Sequence, residues 1–261
     1  MMAPPSQRIA TWNVNSVRAR LPRVLAWLER QRPDVVCLQE TKVVDEDFPA
    51  AEIAAVGYHA VVFGQKTYNG VAILSRQEPS HVVRGLPDDE ADAERRLVAA
   101  TVGGVRIVDV YAPNGGKVGS DKYAFKLDWF RRLRSWLDAE CDAATDLLIC
   151  GDFNVAPDDR DVYDPEAWRG QILCSEPERE ALRGLTAWGL ADGLRLHRQE
   201  GGLYTWWDYR AGAFHRGWGL RIDHVLLTRS LASRCTAVEI DRAERKGEKP
   251  SDHAPVIATL G

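Results

Sequence analysis

Short apolar runs rich in Val and Ile recur along the whole chain, and they narrow its possible folds more than any other feature. They are Arg8–Asn13, Asp34–Leu38, Tyr58–Phe63, Gly70–Leu74, Leu97–Val102, Val105–Tyr111, Leu147–Cys150, Tyr204–Trp207, Ile222–Leu227, Thr236–Ile240 and Ala254–Leu260. Runs this short, bounded by turn-forming residues, read as strands. Gly103-Gly104 between two of them predicts a two-residue hairpin, because both central positions of such a turn want positive φ. Helical spacing is rarer: Leu21, Val24, Leu25 and Leu28 make one apolar stripe, and Tyr123, Leu127, Phe130, Leu133 and Leu137 a longer one. Ser175 and Glu178 have capping-box spacing ahead of Leu182 and Leu185, and Gly189 is placed to stop that helix. Strands joined partly by hairpins and partly by helices predict an α/β protein of the α+β type, with two packed mixed sheets and helices outside.

With 261 residues and 45% of them hydrophobic, the chain has enough apolar surface for one large core, which excludes a disordered chain. No repeat, low-complexity tract or long Gly/Ser/Pro linker divides it, so residues 1–261 are expected to form a single domain. No apolar run reaches the ~18 residues of a membrane span, and Met1–Ser6 lacks the apolar core of a secretory signal. Five widely spaced cysteines, an odd number with no CxxC pair, read as reduced core thiols. A cytoplasmic protein without a membrane partner is expected. The formal net charge of −4 excludes a generic polyanion binder, but charge is patterned. Ala112–Ser135 carries six Lys/Arg against two Asp, whereas Asp88–Glu94 holds five acids, and a nucleic-acid face needs only local positive charge.

Polar residues at the ends of the apolar runs carry the functional signal. Trp12 runs into Asn13-Val14-Asn15, Leu38 into Gln39-Glu40-Thr41, and Cys150 into Gly151-Asp152-Phe153-Asn154, while Asp223 heads one run and Ser251-Asp252-His253 precedes the last. Each residue alone reads first as an Asx turn or an ion-paired surface carboxylate. Together, bordering strong strands, they read as one shared site held by a sheet. Carboxylate and amide oxygens without a Cys/His cluster suit a hard cation such as magnesium or manganese, which engages substrate phosphate. Phosphoester hydrolysis further needs a base for water and a group to offset charge in the transition state. Asp152 and His253 supply those types, and a distant carboxylate such as Asp223 would keep the imidazole protonated.

At these residues the chain resembles the exonuclease III family of apurinic/apyrimidinic endonucleases, within the endonuclease/exonuclease/phosphatase superfamily. The matching stretches are Trp12–Arg20, Cys37–Lys42, Asn69–Ser75, Tyr111–Gly115, Gly151–Asn154, Trp207–Arg210, Leu220–Asp223 and Ser251–Val256, in family order across almost the whole chain. The resemblance implies a four-layer sandwich and a Mg2+-dependent cut, with Mn2+ as a substitute, on the 5′ side of an abasic site in duplex DNA. It also implies 3′-5′ exonuclease activity and trimming of blocked 3′ ends, by a monomer. It makes Glu40 the metal ligand with Asn13 close by, and Asp252 a further contributor, directly or through water. Asp152 would orient or deprotonate the attacking water with Asn154 beside it, and His253, oriented by Asp223, would contact the scissile phosphate. Tyr111 would act on the phosphate or leaving group, its phenolate being the alternative base, and Asn114 would add a phosphate contact. Asn15 stands where some members carry Asp, one negative charge fewer.

Tyr204, Trp206, Trp207, Tyr209, Phe214 and Trp218 place six aromatics in fifteen residues, interleaved with Arg210 and Arg216. Trp207 and Tyr209 read as structural. The family analogy makes Trp206, Leu220 and Ile222 the walls of a pocket for a flipped-out, base-less sugar. Arg20, Lys42, Lys66, Tyr68, Lys117, Lys122, Lys126 and Arg210 are candidate contacts to the DNA backbone. Competing readings are a phosphoinositide or sphingolipid phosphatase of the same fold, a general nuclease, and a DNA-binding scaffold with a retired site.

Overall fold

The computed structural model describes residues 6–90 and 93–261. All of Met1–Ser6 except Ser6, and part of the acidic stretch Asp88–Glu94, lie outside the described residues. Two six-stranded sheets form the centre. The first has the order β11-β12-β1-β2-β4-β3, with β1 Gln7–Asn13, β2 Val35–Gln39, β3 His59–Phe63, β4 Val71–Ser75, β11 Cys235–Ile240 and β12 Val256–Leu260. The second has the order β5-β6-β7-β8-β10-β9, with β5 Ser80–Arg84, β6 Leu97–Val102, β7 Val105–Tyr111, β8 Leu147–Asp152, β9 Leu190–Asp192 and β10 Asp223–Thr228. Each sheet has one parallel pair, β1 with β2 and β7 with β8, and antiparallel neighbours elsewhere. A parallel pair needs a crossover, and the two apolar stripes supply them: α1 Val17–Gln31 joins β1 to β2, and α3 Asp121–Glu140 joins β7 to β8. The remaining helices are α2 Ala50–Ala55, α4 Pro165–Trp168, α5 Glu176–Ala187, α6 Gly193–His197, α7 Ala213–Arg216 and α8 Arg229–Arg234. The capping box at Ser175 and Glu178 starts α5 as expected.

Alternation along the strands separates the layers. Ile9, Cys37, Ile73, Val98, Ile107, Leu148, Val225 and Val256 pack between the sheets. Their neighbours Ala10, Val36 and Leu38 face the opposite way onto Trp27 and Leu28 of α1. On the other side Val108, Ile149 and Leu226 pack against Phe130, Leu133 and Leu137 of α3 and Leu185 of α5. Helix, sheet, sheet and helix give the four-layer sandwich. Burial of both sheet faces explains why the strands read as continuous apolar runs rather than alternating ones.

Two edge strands went unread because their sequences carry little signal: β5 is the mostly exposed Ser-His-Val-Val-Arg, and β9 has three residues. One expected strand fails. Across Tyr204–Trp207 the backbone divides its partners: Trp206 N bonds Leu220 O, while Trp207 N bonds Asp252 O. Only isolated bridges, Trp206 with Leu220 and Trp206 with His253, result. The five cysteines are free, four of them buried.

Candidate active site

Strand register gathers the polar residues at one edge of the sandwich. Parallel pairing puts Asn13 opposite Gln39, so Glu40 comes directly beside it. In the second sheet Asp152 pairs with Tyr111 on one side and with Asp223 on the other. Gly151 permits this: a Cβ there would stand 1.8 Å from Val110 O. The turn before β12 is tied down by Ser251 Oγ donating to Asn13 O at 2.6 Å and by Ala254 N donating to Thr205 O at 2.7 Å. That delivers His253 to the same edge. Left-handed backbone concentrates there, at Asn15, Glu40, Lys42, Asn69 and Asn154 (φ 46 to 55°), the kind of strain that persists only where surrounding bonds over-determine it.

Asp152 is the hub. Its Oδ2 accepts from Asn13 Nδ2 at 2.9 Å, its Oδ1 accepts from Asn154 N at 2.9 Å, and His253 Nε2 lies 3.7 Å from Oδ2. The other ring nitrogen, Nδ1, sits 2.9 Å from Asp223 Oδ2. Burial lowers the affinity of His253 for its proton, but the Asp223 and Asp152 carboxylates outweigh burial and the imidazole is pushed up to about 10. Asp152 is pushed up to about 7, by burial first and then by Asp223 and Glu40, against the pull of His253 and Asn13. Burial, with Glu40 and Asp152 nearby, pushes the Tyr111 hydroxyl well above its usual range, so it is held as a neutral phenol. Its ring lies under the guanidinium of Arg96, 4.7 Å away.

Glu40, Asp152 and His253 each offer a ligand atom within 4.8 Å of the others. An imidazole held protonated by Asp223 donates rather than ligates, which leaves carboxylate oxygens and no thiolate. That donor set fits a hard divalent cation. Two expected ligands stand differently. Asn13 turns its amide nitrogen to Glu40 at 2.8 Å and to Asp152, while its oxygen accepts from Asn15 N at 3.0 Å, so it bridges the carboxylates as a donor. Asp252 lies outside that three-residue group and accepts from Asn15 Nδ2 at 3.0 Å and Trp206 Nε1 at 3.1 Å. His253⁺ nearby and Trp206 donating overcome the effect of burial and hold Asp252 below the usual carboxylate range.

The proposed DNA contacts separate into surface and interior. Lys66, Tyr68, Lys117 and Lys122 are exposed, as is Asn114, whose Nδ2 donates to Asn154 Oδ1 at 3.2 Å. Arg210 is exposed and forks onto its own neighbour Asp208. Arg20 bonds the Tyr209 hydroxyl at 3.0 Å, and Lys42 pairs with Glu40 at 2.7 Å. Tyr209, expected to be structural, is half exposed on this rim. Lys126 is no phosphate contact: it is fully buried, paired with Glu178 and bonded to Asn154 O at 2.6 Å, because its place on α3 faces the second sheet. Leu220 and Ile222 are likewise buried and form no open wall. Leu173, Cys174 and Val162 pack on them, with Trp168 and Ile172 around, and Trp206 alone of the three stays partly accessible. Sequence reasoning gave no site role to His224, buried beside Asp223, or to Arg221, which pairs with Asp161 at 2.6 Å.

Two six-stranded sheets with this cluster at one edge define the class of endonuclease/exonuclease/phosphatase proteins. The model of the Endonuclease/Exonuclease/phosphatase family matches residues 10–253, and the chain belongs to that family, on its exodeoxyribonuclease III side. Exodeoxyribonuclease III of Haemophilus influenzae is 37% identical, the match covering 96% of this chain and 98% of that protein. Among solved structures, the 3′ phosphatase NExo from Neisseria, bound to a product DNA hairpin, is 46% identical with a TM-score of 0.95, covering 98% of this chain and 99% of that one. An AP endonuclease from Archaeoglobus fulgidus is 41% identical with a TM-score of 0.93, covering 97% and 99%.

Proposed function

We propose that this DNA repair nuclease hydrolyses the phosphodiester on the 5′ side of an abasic site in duplex DNA, with Mg2+ as its cation and Mn2+ as a substitute. The observation that carries the reading is the Asp152 carboxylate, held by Asn13 and Asn154 N–H, 3.7 Å from an imidazolium that Asp223 fixes. Asp152 orients the attacking water and takes its proton as the water oxygen bonds to phosphorus and the bond to the 3′ oxygen breaks. His253 Nε2 donates to a phosphoryl oxygen, where negative charge grows. Tyr111, a neutral phenol, acts as a donor toward the phosphate or leaving oxygen rather than as the base. Asn154 holds the Asp152 side, and Asn114 contacts the phosphate. Glu40 would hold the cation, whose bound charge would supply neutralisation of the phosphoryl group. The reading takes the whole chain as one catalytic domain acting as a monomer.

A second reading gives 3′ ends more weight than internal abasic sites. The cover over Leu220 and Ile222 supports it, since as buried members of an apolar cluster they offer a base-less sugar no wall. A blocked 3′ terminus needs no such pocket. The test is turnover of labelled duplexes carrying an abasic site, a 3′ phosphate or neither, with soluble inositol phosphates alongside and with and without Mg2+. Metal-dependent incision at the abasic site supports the first reading, and 3′-phosphate release without incision supports the second. Similar rates on intact duplex would point to a general nuclease and overturn both.

A further inference from the structure

Three consecutive carbonyl groups just beyond Asp152 are each held by a basic side chain from a different element. Lys126 Nζ of α3 donates to Asn154 O at 2.6 Å, and His224 Nε2 of β10 faces Val155 O at 2.9 Å. Arg179 Nε of α5 donates to Ala156 O at 3.1 Å. Loop carbonyls ordinarily find backbone or water partners. Here each partner is itself anchored. Lys126 pairs with the buried Glu178, Arg179 pairs with Asp159 at 2.9 Å, and Arg221 bonds His224 while paired with Asp161 at 2.6 Å and Asp192 at 2.8 Å.

The direction of the bonds at His224 is set by its neighbour. A guanidinium has no acceptor, so Arg221 Nη1 donates to Nδ1 across 3.1 Å and the ring proton is left on Nε2 for Val155 O. The ring is therefore a neutral donor in one tautomer. Burial and then Arg221 hold its pKa below the usual imidazole value, in agreement with that geometry.

The turn so gripped is bonded to the hub of the site. Asp152 Oδ1 accepts from Asn154 N, so the carboxylate is tied to backbone that stands in the left-handed region at φ 51°. Relaxation toward an ordinary φ would carry the N–H, and Asp152 with it, out of place. We propose that Lys126, His224 and Arg179 form a carbonyl clamp that positions the Asp152–Asn154 turn for hydrolysis. They are positioning residues and touch no DNA. The proposal rests on the assignment of Asp152 to the hydrolytic centre.

Two variants at one position test it in the full-length protein. A glutamine amide both accepts and donates, so His224→Gln keeps a partner for Arg221 and for Val155 O, whereas His224→Leu keeps neither. Measured on a DNA substrate the wild type turns over, His224→Leu is expected to lower kcat about 30-fold or more with KM within about twofold, because small misplacements of reacting groups cost that much. His224→Gln is expected to recover most of the loss. Amide hydrogen exchange without DNA is a second readout: His224→Leu should speed exchange at residues 152–156 and little elsewhere. Arg179→Ala, at a partly exposed position, covers the case in which His224→Leu does not fold, with a kcat loss of about fivefold and the same local exchange. Wild-type kcat and exchange in the variants, a loss equal in Gln and Leu, or a loss confined to KM would overturn the clamp. A wild type inactive on every DNA substrate would sink the functional reading alone, since the exchange pattern still reports on the clamp.

Discussion

The cluster of Asn13, Glu40, Asp152, Asp223 and His253 and the aromatic segment from Tyr204 to Trp218 meet at the Trp206–His253 bridge but are built differently. In the cluster, four of the five residues are buried, Glu40 being the exception, and nearly every polar atom named has a partner on another strand. In the loop, Tyr209 is 51% exposed, Arg210 reaches solvent, and Trp218 stacks on Tyr163 under Arg216 at the surface. Charge inside the cluster is weakly screened, so distances of a few tenths of an ångström set proton affinities. On the loop, solvent screens the same charges, and contact with a polyanion depends on their number and sign rather than on fine placement. Substitutions should therefore act on chemistry in the first region and on binding in the second.

The largest effect expected is that of Asp152→Asn. Incision should fall about 10³-fold, within the range for a lost general base, while duplex affinity by gel shift changes little. A variant that still cuts at the wild-type rate would end the distinction between the regions. Asp223→Asn comes next, with about a 10²-fold loss and a shifted titration of His253. In the metal-free wild type, imidazole NMR should show His253 protonated at pH 8 and titrating near pH 10. Its folded pKa lies above the 6.5 of an ordinary imidazole, so its stabilisation is complete below pH 6.5 and is lost as pH rises through about 10. Removing Asp223 should move that loss to lower pH, and an unmoved midpoint would contradict the pairing.

Lys126 sharpens the comparison, since its neighbours Lys117 and Lys122 on the same stretch are exposed. Lys126→Met leaves Glu178 buried and unpaired and should cost about 3 kcal/mol in urea unfolding. Lys122→Ala should stay within about 0.5 kcal/mol of wild type. The smallest effect belongs to the surface cations: Lys66→Ala and Lys122→Ala should each reduce the salt dependence of duplex binding by about one counterion, with kcat at saturation unchanged. A kcat loss in either would place that lysine in the cluster after all.

The layering was largely legible. Val35-Val36-Cys37-Leu38 and Leu147-Leu148-Ile149-Cys150 are buried on both faces, and uninterrupted apolar runs of that length announce central strands. The stripes of α1 and α3 announced helices, and the parallel pairs made those helices the crossovers. Edge strand β5 escaped because a solvated edge has no reason to be apolar, and Tyr204–Trp207 misled because aromatic, β-like sequence was serving two different partners. In the site, residues at strand ends stood out as polar type against apolar context. His224 and Arg221 flank Asp223 closely in sequence, and nothing local told their roles apart from its own.

Sequence alone determined the central strands, the two long amphipathic helices and the list of oxygen and imidazole side chains at the strand ends, because period and composition are local properties. Only tertiary structure decided which way Asn13 points, that Lys126 turns inward, that Leu220 and Ile222 are covered, and that three basic side chains meet on the carbonyls after Asp152. These depend on which distant segments meet and how far solvent is excluded between them, and no window of neighbouring residues contains that information.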